Sequence, residues 1–159
     1  MKEREQARIL LIDDDETVRE SHEAALKANG YLVDVAANGK EAIAKSKAIL
    51  YDLALVDLRL PDMDGIELLT GLREAVPGMA KIIITGYPSM ENAIEAVNRG
   101  ADVYIVKPYI MEDLLRKIKK QLQKQQEARK YGEQRIREFI EARAEEYESR
   151  TPVKPKRKK

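Results

Sequence analysis

At 159 residues, with 43% hydrophobic and 36% charged composition, the chain can bury one core of ordinary size but hardly two, so one domain with an appendage is expected. Lys and Arg total 29 against 28 Asp and Glu, and a net charge of +1 singles out no nucleic-acid partner. The lack of cysteine excludes disulfides, thiolate zinc sites and thiol nucleophiles. No apolar run nears membrane-spanning length and none backs the charged start MKEREQAR, so neither a membrane span nor a signal peptide is expected and a cytosolic protein is.

In chain order, RILLI (8–12) is a β-rich apolar run too short for a helix, and Asp13, Asp14 and Asp15 follow it at once. From Glu16 the spacing turns helical to a stop at Gly30. The lone histidine, His22, has no second ligand nearby in sequence and is assigned no role. YLVDVA (31–36) reads as a second strand, and Asn38 with Glu41 as a capping box opening a helix over about 40–49. LALV (53–56) is a third strand that ends in Asp57. A loop with Pro61 and Gly65 leads to a third helix, where Asp64 and Glu67 repeat the capping spacing and Pro77 and Gly78 mark the end. KIII (81–84) is closed by Thr85 and Gly86. Ser89 opens a fourth helix with Ala93, Ile94, Ala96 and Val97 as its apolar positions and Gly100 as its cap, and VYIV (103–106) ends in Lys107 and Pro108.

Five short apolar strands alternating with helices predict a doubly wound α/β fold, a parallel sheet covered on both faces. Right-handed crossovers then bring the C-terminal strand ends to one edge, where such sheets bind ligands. An aspartate at a strand end is ordinarily a turn former or a cap. Here Asp13, Asp14, Asp57, Thr85 and Lys107 all fall at strand ends, so acids, a hydroxyl and an amine share one edge. Adjacent carboxylates are tolerable when a cation sits among them, and oxygen-only ligands fit Mg²⁺. A carboxylate beside Mg²⁺, a lysine and a hydroxyl can act as a nucleophile toward phosphorus and yield an acyl phosphate.

The runs ILLIDDD, LALVDLRLPDMDG, IIITG and VYIVKP, in that order and at these separations, resemble the receiver domain of two-component response regulators over about residues 8–121. The resemblance implies the flavodoxin-like strand order 2-1-3-4-5. It implies that Asp57 is the phosphoacceptor. For Mg²⁺ it implies Asp14 and Asp57 as ligands, Asp13 as a ligand through water and the backbone carbonyl of Arg59 as a further one. Thr85 and Lys107 would bind the phosphoryl group, and Tyr104 would be the aromatic that reports the state of Thr85. The Lys107–Pro108 bond would be cis, and Asp15 a helix cap. Arg59 and Tyr87, two positions after Asp57 and Thr85, would stand at the pocket mouth. Gly86 departs from the alanine common in the family, which leaves the shape of that mouth open.

Beyond Pro108, Leu114, Leu115, Ile118 and Leu122 give a fifth helix its core face. The expected division is a receiver domain over residues 1–123, a helical extension over 124–149 and a basic, disordered tail over 150–159. Gly132 is the sole breaker in the polar part of the extension, and Ile136, Phe139, Ile140 and Tyr147 restore an apolar stripe, which favours a homodimer through 136–147. The favoured function is a switch that takes a phosphoryl group from a histidine kinase and signals through the face of helix four, strand five and helix five. The runner-up is the receiver part of a transcriptional regulator whose effector lies outside this chain. A phosphatase working through an aspartyl phosphate would need a further acid or base to activate water, and the strand ends show none. The protein is therefore expected to be a phosphorylatable switch rather than an enzyme, with a downstream protein target and no contact with membrane or nucleic acid.

Overall fold

The computed structural model of the chain describes residues 6–150. Strands β1 (Arg8–Ile12), β2 (Leu32–Ala36), β3 (Leu53–Asp57), β4 (Ala80–Thr85) and β5 (Val103–Val106) alternate with helices α1 (Glu16–Ala28), α2 (Gly39–Ala48), α3 (Gly65–Ala75), α4 (Met90–Asn98) and α5 (Met111–Arg150). All pairings are parallel, in the order β2-β1-β3-β4-β5, as expected from the resemblance. In register, Ile12 lies beside Val56, Asp57 beside Ile84 and Thr85 beside Val106, so the C-terminal strand ends form one rim.

The strands read as unbroken apolar runs because both faces of the sheet are covered. Leu10, Ile12, Ala54, Val56 and Ile83 pack with residues of α2, α3 and α4 such as Leu68, Leu69 and Leu72. Their neighbours Ile9, Leu11, Leu53, Leu55, Ile82 and Ile84 point the other way, onto Leu26 of α1 and Leu114, Ile118 and Leu122 of α5. Truncating one of these fully buried leucines to alanine costs about 2–5 kcal/mol.

The helix caps are local solutions for unpaired backbone N–H groups. Asp15 accepts from Val18 N at 3.2 Å and Asn38 from Glu41 N at 2.8 Å. The reciprocal arm expected of Glu41 reaches Ala37 N instead of Asn38 N. Asp64 accepts from Ile66 N at 2.9 Å, and the two-sided box is found at α4, where Ser89 and Asn92 serve each other's N–H. Gly100, expected as the cap of α4, follows the capping Arg99 and takes the left-handed φ of +99°.

Two expectations about helices need correction. On α4 only Ala96 is buried, while Met90, Ile94 and Val97 are exposed. Gly132 does not interrupt α5, because one glycine costs only about 1 kcal/mol in a helix and its neighbours are strong helix formers. The chain divides into two units, Met1–Gln123 and Lys124–Lys159. The tail expected to be disordered lies, from residue 151 on, outside the described residues.

Candidate functional site: an acidic pocket at the sheet rim

Four segments build the site. Asp13 follows β1 and is buried, its Oδ1 accepting from Asp15 N at 2.9 Å while Arg19 donates to its main-chain oxygen at 2.8 Å. Asp14 is exposed beside it. Asp57 ends β3, where Oδ1 accepts from Arg59 N at 2.9 Å and Oδ2 from Lys107 Nζ at 3.1 Å. Oxygens of Asp13, Asp14 and Asp57 lie within 4.8 Å of one another. Thr85, 1% exposed at the end of β4, accepts from Tyr87 N at 3.0 Å through Oγ1. The Lys107–Pro108 peptide bond is cis.

The loop after β3 allows this by a close approach that only glycine permits. A Cβ on Gly65 would stand 2.5 Å from the Asp57 carbonyl oxygen and 2.8 Å from Leu58 Cα. Gly65 N donates back to Leu58 O at 2.8 Å, which closes the loop. At Gly86 a Cβ would meet only Lys107 Cδ, at 3.8 Å, so alanine would fit there and the pocket mouth does not depend on glycine.

The geometry suits a small hard cation. The donor set is all oxygen, and burial, with the facing Asp57 charge adding to it, pushes the Asp13 carboxyl up to about 6 against the pull of the Asp15 N–H. A divalent ion among the three acids would remove that repulsion.

Across the mouth, the Arg59 guanidinium carbon lies 3.4 Å from the centroid of the Tyr87 ring, joining the loops after β3 and β4. Tyr104 is half-buried, and its hydroxyl donates to Asn92 Oδ1 at the start of α4. Asn92 Nδ2 in turn donates to Tyr87 O at 3.0 Å. Thr85, the backbone of Tyr87, Asn92 and Tyr104 are thus linked in one chain.

Three participants escaped the sequence reading. Asp62 accepts from Gly39 N and Lys40 N at 2.8 and 2.9 Å, tying the β3–α3 loop to the first turn of α2, and these bonds hold its carboxyl below the usual range. Its place in PDMDG was the available signal. Asn92 sits three residues after Ser89, a spacing that could have marked the box. His22 is half-buried: its Nδ1 faces Val18 O at 3.0 Å and therefore carries the proton, so Nε2 accepts from the Tyr109 hydroxyl at 2.5 Å. Burial lowers the pKa of His22 and raises that of Tyr109 to about 12.

Residues 9–119 match the family model of the response regulator receiver domain. The chain belongs to that family. Receiver domains are the phosphorylatable parts of two-component systems, switches rather than classical enzymes; response regulators receive phosphate from histidine kinases, and receiver domains bind Mg²⁺ at an acidic pocket. A receiver domain protein of Methanospirillum hungatei is 45% identical, with a TM-score of 0.76 over 77% of this chain and 98% of that one. A response regulator of Burkholderia pseudomallei, solved with a phosphorylated aspartic acid, a calcium ion and citrate, is 34% identical, with a TM-score of 0.66 over 69% of this chain and 65% of its own. The transcriptional regulatory protein ZraR of Klebsiella oxytoca is 38% identical over 69% of this chain, and the response regulator MprA of Mycolicibacterium vanbaalenii 34% over 70%. The chain spans 25% of the length of ZraR and 48% of that of MprA. Among the described residues, no helix of this receiver is long and apolar enough to cross a membrane.

Proposed function

We propose that Asp57 accepts a phosphoryl group from a histidine kinase and that its phosphorylation resets the exposed face made by α4, β5 and α5. The observation that supports this most directly is the 3.1 Å contact of Lys107 Nζ with Asp57 Oδ2 beside two further carboxylates. One Asp57 oxygen attacks phosphorus, the phosphorus–nitrogen bond to the donor histidine breaks, and the imidazole leaves with the electron pair. Asp14 and Asp57 would hold Mg²⁺ directly, Asp13 would hold it through water, and the Arg59 carbonyl would complete the protein ligands. Mg²⁺, when bound, neutralises charge on the transferring oxygens. Lys107 pairs with the phosphoryl group as it forms, and the Thr85 hydroxyl turns to donate to it.

That turn takes the Thr85 oxygen from Tyr87 N, and the change passes through Tyr87 and Asn92 to Tyr104. The exposed Met90, Ile94, Val97 and Val106 suit a protein partner on this face, with the occupied site favouring one of two loop settings. The same pocket assists both formation and loss of the acyl phosphate.

The decisive experiment treats the protein with a small acyl phosphate and Mg²⁺ and follows intact mass. Wild type should gain one phosphoryl group, lost on removal of Mg²⁺ from the reaction, and Asp57→Asn should gain none. An equal gain by the variant would overturn the assignment.

A second reading, the receiver segment of a transcriptional regulator, is favoured by the name of one relative and by the small share of it that the chain spans. It differs in the target and leaves the chemistry at Asp57 unchanged.

A further inference from the structure

Beyond Gln123, α5 carries a face with no cover among the described residues. At 100° per residue, positions 132, 136, 139, 140, 143 and 147 fall within an arc of about 100°. Ile136, Phe139, Ile140 and Tyr147 on it are each more than 60% exposed. Arg143 lies on the same face, its guanidinium 5.3 Å from the Phe139 ring and its Nη1 3.5 Å from Glu146.

The charge along this segment divides sharply. Residues 124–137 hold five Lys or Arg against two Glu, and residues 138–149 hold five Glu against one Arg. The acidic half occupies the end of α5, where the helix dipole disfavours negative charge, so the distribution does not serve the isolated helix. The apolar residues Ile136, Phe139 and Ile140 stand at the junction of the two halves.

We infer that residues 124–149 pair with the same segment of a second copy, antiparallel, about a two-fold axis near the junction. In that arrangement the basic half of each copy faces the acidic half of the other, and the apolar cluster meets its own mate at the centre. A parallel pair would set like charge against like along the whole length. The contact is self-complementary, as a two-fold interface must be, and it is independent of what happens at Asp57.

Sedimentation equilibrium of the full chain should show a dimer whose dissociation constant rises with salt. Arg135→Glu with Arg137→Glu should weaken it at least about tenfold, as should Phe139→Asp, with helix content retained. An equimolar mixture of the Arg135→Glu, Arg137→Glu protein with one carrying Glu138→Arg and Glu141→Arg, the acids that face those arginines across the two-fold, should restore the dimer. Because the chain lacks cysteine, orientation can be read with pyrene on single introduced thiols. Ala128→Cys mixed with Ser149→Cys should give excimer emission, and Ser149→Cys alone should not. A monomer at about 100 μM would overturn the inference. A dimer indifferent to Phe139→Asp, or excimer from Ser149→Cys alone, would overturn it equally.

Discussion

Asp57 has two kinds of neighbour, and their balance predicts what its replacement does. Asp57→Asn keeps an oxygen for Arg59 N but loses the charge facing Asp13 and Asp14 and the pair with Lys107. The Lys107 side chain is 37% exposed and can turn to water, so relief of repulsion should win. The variant should unfold about 1 kcal/mol later than wild type in metal-free denaturant titrations, and an earlier midpoint would contradict the balance. Asp13 adds a pH dependence. Its folded carboxyl is raised from 3.8 to about 6, so between about pH 4 and pH 6 the folded state binds more protons than the unfolded one. Metal-free stability from this group should be fully present below pH 4 and fall as pH rises to 6. Asp13→Asn should flatten that fall in chelator-treated protein, and Mg²⁺ affinity in wild type should weaken below pH 6. At the mouth, Arg59 stacks on Tyr87, and we propose that this pair, neither of which is a carboxylate or amide able to orient a water, shields phosphorus from in-line attack. The acyl phosphate should therefore be long-lived, and Arg59→Asn with Tyr87→Glu should shorten its decay several-fold after the donor is removed.

Loops and helices show where substitution is dear and where it is cheap. Gly65→Ala forces a methyl against the Asp57 carbonyl and Leu58 backbone, which cannot give as a side chain would. It should cost about 2–4 kcal/mol and slow phosphorylation, whereas Gly86→Ala should stay within about 0.5 kcal/mol by thermal unfolding. The same elements show what was legible in the sequence. The five strands could be read as short apolar runs, four of them followed by or ending in Asp13, Asp57, Thr85 and Lys107, whereas their order came from the family resemblance that those runs carry. Ile94 and Val97 had the spacing of a core face, yet spacing reveals only that residues share a face, not that the chain supplies anything to cover it. The place of Asp62 in PDMDG marked it as a loop acid, but its partners could not be read, because Gly39 and Lys40 lie more than twenty residues away across a fold not yet known. The His22–Tyr109 bond spans 87 residues and involves the one histidine the pattern left without a role.

For the molecule as a whole, the two units make separable predictions. Leu114, Ile118 and Leu122, which cover one side of the sheet, all precede Gln123. A chain ending at Gln123 should unfold within about 2 °C of the full protein at low concentration and show no concentration dependence, whereas the full chain's midpoint should rise with concentration. A large loss of midpoint on truncation would show that the extension supports the sheet. Asn92 has a consequence at this scale too. One amide accepts from Ser89 N and the Tyr104 hydroxyl and donates to Tyr87 O, so it cannot rotate to leave one of these partners without disturbing the other two. On the proposed switching, such a latch would favour two settings over any halfway one. Cells would then read this protein as a headcount, the number of molecules flipped at a given moment, rather than as a dial turned partway in each.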